Sequence, residues 1–296
     1  MIRDLETGVV TGLPFEYAED AYIGREHVAL RLRDEEDDTT SLVTLRGDDR
    51  RTITLGDAEL LAVGADGEWA ALGGEDAALQ AVQLRTGEAV KLHGRGADEA
   101  ALFGGPVPRI AWSAPDGGEG TTVRVRALTG APGLRTLKRT GWVQYLAFTP
   151  DGSEVLMLAD RELVRWRWAT GEQHFIKDPG LIDVQSVRAA ADLRTLHCVA
   201  RRHVQLRSND AEMRLLGALH PLQSGGWWFV SRSGAIDGSD DAIDSVVTRV
   251  EHASATLVFD GRLGWDGAYV PGAAARAFAG EDAAPPVLPR EPAVDE

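Results

Sequence analysis

Apolar residues in this chain come in short runs broken by turn-forming residues, and the clearest set lies at Tyr145–Lys177. Four runs stand there: Tyr145–Thr149, Val155–Ala159, Leu163–Trp168 and Gln173–Lys177. Pro150-Asp151-Gly152-Ser153 joins the first two and Ala169-Thr170-Gly171-Glu172 the last two. Pro and Asp at the front of a four-residue turn with Gly behind them give a tight reversal, because Gly takes positive φ without a steric cost. Leu163–Trp168 alternates in part with period two, as a half-buried strand does. The pattern predicts a four-stranded antiparallel unit written in about 35 residues.

The same arrangement recurs along the chain. Tyr17–Ile23, His27–Arg33, Ser41–Arg46 and Thr52–Leu55 make one copy, and Leu60–Gly64, Trp69–Leu72, Leu79–Arg85 and Glu88–Leu92 the next. A third runs Arg109–Ser113, Pro115-Asp116-Gly117, Thr122–Leu128 and Leu134–Lys138. A degenerate copy follows the clearest one at Val184–Arg188, Thr195–Ala200, His203–Arg207 and Met213–Leu216. The later turn of each unit falls near Gly8, Gly47, Gly87, Gly130, Gly171 and Asn209, a period of roughly 40 residues. Short strands, frequent turn signals and this period predict an all-β fold, a β-propeller of four-stranded antiparallel blades.

The N-terminal segment Ile2–Val10 matches only the second half of a unit. Its inner strands are therefore expected from the C-terminal part, so that the N- and C-terminal strands close the ring and leave no free sheet edge. Five full copies, the 227–260 region and this shared unit make seven blades, or six if the C-terminal part packs outside. Residues 1–280 are expected to form a single propeller domain with 226–280 as its closing segment. Residues 281–296, with Pro285, Pro286, Pro289 and Pro292 among acidic residues, read as a disordered tail.

Composition narrows the partners. The 296 residues carry 46 acidic and 31 basic side chains, a net charge of −15, which repels polyphosphate and argues against nucleic acid. Arg201-Arg202-His203 and Arg46 with Arg50-Arg51 are the basic groupings, and charges of this kind ordinarily solvate strand edges. The single cysteine, Cys198, precludes an internal disulfide framework and fits a reducing compartment. It sits in the apolar run Leu196–Ala200, where a small buried side chain is expected, and its neighbour His197 would point to the opposite face of a strand. The N-terminus lacks a signal-peptide pattern and no run is long enough for a membrane span, so a cytoplasmic protein without membrane association is expected. Three lysines against many arginines, with abundant Ala, Gly and Asp, suggest a bacterial source.

The stretch Tyr145–Lys177 resembles a WD-repeat blade, in which PDG and TG turns flank the strands and a Trp stands late in the third. Trp166 or Trp168 takes that place, and the resemblance implies that these rings pack between blades. The other copies carry Leu5, Leu45, Leu84, Leu128 and Leu206 there, and no Gly-His or Trp-Asp pair stands in register. The segment Gly226–Gly280 resembles the closing tail of bacterial WD-repeat proteins associated with caspase-like peptidases. Trp228, Gly234, Asp237-Gly238-Ser239, Pro271-Gly272 and Ala273–Ala279 take its positions. A partner protein, a caspase-like protease or another subunit of a bacterial multi-protein system, is what this resemblance implies.

Candidate chemistry is sparse. Asp237, Asp240, Asp241 and Asp244 crowd one loop, but the spacing of a calcium loop ending in Glu is absent, and an Asx-stabilised turn accounts for them. Asp34-Glu35-Glu36-Asp37-Asp38 reads as a solvated acidic loop. The seven His show no metal-ligand pair, and neither a G-x-S-x-G nor a P-loop nor a dinucleotide fingerprint occurs. No cofactor is expected. Trp227-Trp228-Phe229 on one strand would put alternate rings on opposite faces, which makes Trp227 and Trp228, with Trp265 and Tyr269, candidates for an interaction surface. The expected function is a non-catalytic protein-interaction scaffold or sensor subunit. The alternative is a metal-dependent propeller hydrolase or lactonase with acidic residues at a central channel.

Overall fold

The computed structural model describes residues 2–3, 10–11, 20–23, 28–34, 39–46, 49–55, 58–64, 66–94, 96–117, 120–130, 133–190, 192–222, 226–239, 248–252, 255–259 and 270–282. They fold almost entirely as antiparallel β-structure. A first hairpin pairs β1 (Ile2–Arg3) with β2 (Val10–Thr11). Sheet 1 is β3 (Asp20–Ile23), β4 (Val28–Asp34), β5 (Thr39–Arg46) and β6 (Asp49–Thr54). Sheet 2 is β7 (Glu59–Val63), β8 (Trp69–Gly73), β9 (Gln80–Gln83) and β10 (Ala89–Lys91). Sheet 3 is β11 (Glu99–Phe103), β12 (Arg109–Pro115), β13 (Gly120–Ala127) and β14 (Arg135–Thr140). Sheet 4 is β15 (Val143–Phe148), β16 (Val155–Ala159), β17 (Glu162–Arg167) and β18 (Glu172–Lys177).

Sheet 5 has six strands: β19 (Val184–Ala189), β20 (Thr195–Ala200), β21 (Val204–Ser208), β22 (Leu215–Pro221), β23 (Trp227–Ser231) and β24 (Ile236–Gly238). A hairpin of β25 (Thr248–His252) and β26 (Ala255–Phe259) and a short helix α1 (Ala273–Phe278) follow. In each of the five sheets the strands pair in chain order, the meander that the turn spacing predicts. Met1–Val143 and Gln144–Glu296 are two compact units.

The turns explain why sheet 4 is the most regular. Gly152 and Gly171 both sit at positive φ, +66° and +83°, where any other side chain would be strained. Asp151 accepts from the Thr149 and Ser153 hydroxyls and from the Ser153 N–H, closing an Asx turn. Central strands are buried on both faces, as β16 is along its whole length, whereas the fourth strand β18 exposes most of its residues. In the first unit, sheets 1 and 2 share a core of Leu42, Leu55, Leu60, Leu72 and Leu84. Sheets 2 and 3 share another, of Trp69, Leu79, Ile110 and Trp112. In the second unit, Leu156, Leu158 and Leu163 of sheet 4 pack against Val187, Leu196 and Cys198 of sheet 5.

Three expectations change. Sheet 3 begins a strand earlier than its turn signals suggest, at Glu99–Phe103. Pro115-Asp116-Gly117 therefore connects its second and third strands, not its first and second. The Trp227 segment does not open a further sheet. Its hairpin β23–β24 pairs with β22 and extends sheet 5, because Pro221↔Trp227 through Gly217↔Ser231 complete a continuous ladder. Glu281 and Asp282, assigned to the tail by composition, are bonded: the Glu281 N–H donates to the Arg276 carbonyl and Arg214 Nη1 lies 3.3 Å from Asp282 Oδ2.

Candidate functional site

The extension of sheet 5 assembles the most unusual cluster of side chains in the described residues. The register sets His220 of β22 directly across from Trp228 of β23, and Val204 across from Leu219. His203, one residue before Val204, thus falls beside His220. The three rings stack in a row: His203 to His220 at 5.3 Å between centroids and His220 to Trp228 at 4.6 Å, both inclined by 27°. Burial first, and the neighbouring His203 second, hold the His220 imidazole below its ordinary range, so the row is neutral at this ring at pH 7. Gln205 anchors the row from below, its Nε2 donating to the Gly180 carbonyl at 2.6 Å and lying 3.3 Å from His203 Nε2.

The row ends on one side at the β20–β21 turn, where Arg201 and Arg202 are exposed and form no ion pair with a described residue. On the other side the position across from Trp228 is Gly238 on β24, which carries no side chain. The opposite face of the same strand is filled. Trp227 and Phe229 pack with Leu206, Leu216 and the α1 residues Ala273, Ala274 and Ala277. Of the two tryptophans singled out by sequence, Trp227 belongs to that apolar cluster and Trp228 to the ring row. Trp265 and Tyr269 lie outside the described residues.

Trp166 is buried, on the face of sheet 4 shared with Val164 and Phe175. Trp168 lies beyond β17, and its indole N–H donates to the Gly152 carbonyl at 3.0 Å, fastening one turn of its own sheet to another. Several large apolar side chains remain exposed: Leu134 at 52%, Trp142 at 55%, Phe175 at 59% and Ile182 at 56%. None of these four was singled out by sequence. An exposed aromatic on the fourth strand of a meander is a signal that alternation alone does not distinguish from a buried one.

The other candidates resolve into local roles. Asp237 is buried; its Oδ2 accepts from the Ala274 N–H of α1 at 3.1 Å and its Oδ1 from the Gly238 N–H at 3.0 Å. Ser239 closes the hairpin, its Oγ accepting from the Trp227 N–H at 2.9 Å. Asp240, Asp241 and Asp244 lie outside the described residues, as do Glu35–Asp38. Cys198 is fully buried, and burial pushes its thiol up to about 11; that leaves no nucleophilic thiolate at neutral pH. In the first unit Glu99 is pushed up to about 7, by burial first and the Asp98 charge second, and Asp98 is itself raised by burial and Glu75. Among the described residues no three His, Cys, Asp or Glu side chains converge as metal ligands, and no helix is long and apolar enough to cross a membrane.

No protein-family model and no curated protein matches the chain. Among solved structures, it is similar to a chain of a nidogen–laminin complex, at 13% identity and a TM-score of 0.48, covering 66% of this chain and 76% of that one. It is also similar to the Swd1 β-propeller domain of Myceliophteria thermophila, at 14% identity and a TM-score of 0.43, covering 60% of this chain and 63% of that one. All-β architecture in four-stranded antiparallel meanders is the property of this chain's own topology.

Proposed function

We propose that the protein is a non-catalytic propeller that binds another protein, a scaffold or sensor subunit. Its meander sheets would close into a ring of six or seven blades. The hairpins β1–β2 and β25–β26 have two strands each, and together they would supply the four strands of a shared closing blade. The observation that carries the interaction reading is the set of large apolar side chains left more than half exposed, foremost Phe175 on β18 and Trp142 in the connection just before β15. Exposed aromatics on an ordered framework make low-entropy anchors for a partner. The partner class to try first is a caspase-like peptidase or another subunit of a bacterial multi-protein system, on the resemblance of Gly226–Gly280 alone.

Co-purification from cells in which the protein is native tests this reading. The wild type should retain a stoichiometric partner, and Trp142→Ser or Phe175→Ser should lose it while melting within a few degrees of wild type, since exposed substitutions change stability by only about 0.5 kcal/mol. Recovery of the wild type alone, or equal partner yield from all three proteins, removes the basis for the proposal.

A further inference from the structure

Sheet 5 carries a row of rings that stops one strand short of its edge. His203, just before β21, stacks on His220 of β22, and His220 stacks on Trp228 of β23. The next place in the row, on β24, is Gly238. The indole of Trp228 therefore has a ring on one side and, from the sheet, no side chain on the other. The helix α1 does not fill that place, because it packs on the opposite face with Trp227 and Phe229. The far end of the row adjoins Arg201 and Arg202, two exposed guanidinium groups without an ion-pair partner among the described residues, in a protein whose net charge is −15.

We propose that this end of sheet 5 binds an extended acidic peptide segment of a partner protein, which stacks an aromatic side chain on Trp228 above Gly238 and pairs a carboxylate with Arg201 and Arg202. The spacing sets the motif. Neighbouring strands lie about 4.8 Å apart, so the row from β21 to β24 measures roughly 14 Å, which about four extended residues at ~3.3 Å each span. An aromatic ring and a carboxylate about four residues apart thus reach both ends at once. Offset ring stacking favours a planar side chain at the glycine end, and a guanidinium fork matches a carboxylate in two parallel hydrogen bonds. A nucleic acid would also bring planar rings, but it brings one phosphate per nucleotide into a strongly negative field, whereas the peptide asks for a single carboxylate at Arg201 and Arg202.

The inference rests on the scaffold reading and is tested on the full chain by fluorescence anisotropy. The probe is a short labelled peptide with Trp and Glu four residues apart, spaced by Gly and Ser. Controls replace its Trp by Ala or its Glu by Lys, and a single-stranded oligonucleotide of similar length is titrated in parallel. The intact peptide should bind. Either peptide change, the double substitution Arg201→Glu with Arg202→Glu, or Gly238→Val should each weaken binding about tenfold or more. The arginines are exposed and their reversal leaves the fold intact, which keeps the test decisive if Gly238→Val disturbs the hairpin. Absence of binding by wild type up to the solubility of the peptide, insensitivity to the arginine reversal, or tighter binding of the oligonucleotide overturns the proposal. Loss of peptide binding with retention of a Phe175-dependent partner would sink this site and leave the scaffold reading intact; peptide binding without any co-purified partner would do the reverse.

Discussion

Glu154 lies buried between two guanidinium groups. Arg165 donates through Nε and Nη2 to its Oε2, at 3.0 and 2.5 Å, and Arg167 through Nη2 to its Oε1 at 3.0 Å. Arg165 is itself buried and also donates to the Asn209 and Asp210 carbonyls in the β21–β22 connection, so one side chain ties sheet 4 to a turn of sheet 5. A buried ion pair adds little over an apolar pair, but removing one partner strands the other charge. Glu154→Ala should therefore cost about 3–5 kcal/mol in urea unfolding, and Lys177→Ala, whose exposed ammonium reaches a largely enclosed Glu162, at most about 1 kcal/mol. Glu99 gives a pH signature. Its carboxyl is raised from 4.5 to about 7, so the folded chain holds that proton more tightly than the unfolded one. The stability this brings is complete below pH 4.5 and is lost as pH rises to about 7. Glu99→Gln removes the ionisation, so its melting temperature minus that of wild type should increase from pH 4.5 to pH 8. An unchanged difference across that range would dissociate Glu99 from the pH dependence.

At the scale of elements, Asp237 joins β24 to α1 through one carboxylate. The helix has only six residues and enters through Gly272 at φ +78° without a cap of its own, so a side chain from the sheet supplies the missing acceptor. Asp237→Ala should destabilise the chain by about 1–2 kcal/mol and raise amide exchange in Ala273–Phe278 more than in β16. The strands of sheet 4 were legible in sequence to within two residues, because Asp151, Gly152 and Gly171 name their turns chemically. Glu99–Phe103 was not, since Ala100 and Ala101 have weak strand preference and no tight turn precedes them. Asp237 was visible as a turn residue, but its bond to Ala274 depends on where the helix docks. The ring row was invisible for a different reason: His203, His220 and Trp228 stand at different strands and meet only through register. Alternation marks Trp227 and Trp228 as facing opposite ways, and cannot say which faces the helix.

Across the whole chain, the net charge of −15 imposes self-repulsion that compactness makes worse. Raising salt from about 10 mM toward physiological strength shortens the Debye length to about 8 Å and should raise the melting temperature. A fall on adding salt would mean that exposed ion pairs, such as those of Arg214 with Glu212 and Asp282, outweigh the net field.

Cys198 gives the fold a built-in clock. It is the sole thiol of the protein, fully enclosed between sheets 4 and 5 and held protonated by that enclosure. A disulfide reagent can reach it only when these two sheets part, so the rate of modification under native conditions reads the opening of the second compact unit. Tryptophans occur in both units, so emission and labelling followed together would tell whether Met1–Val143 and Gln144–Glu296 unfold in one step or in two.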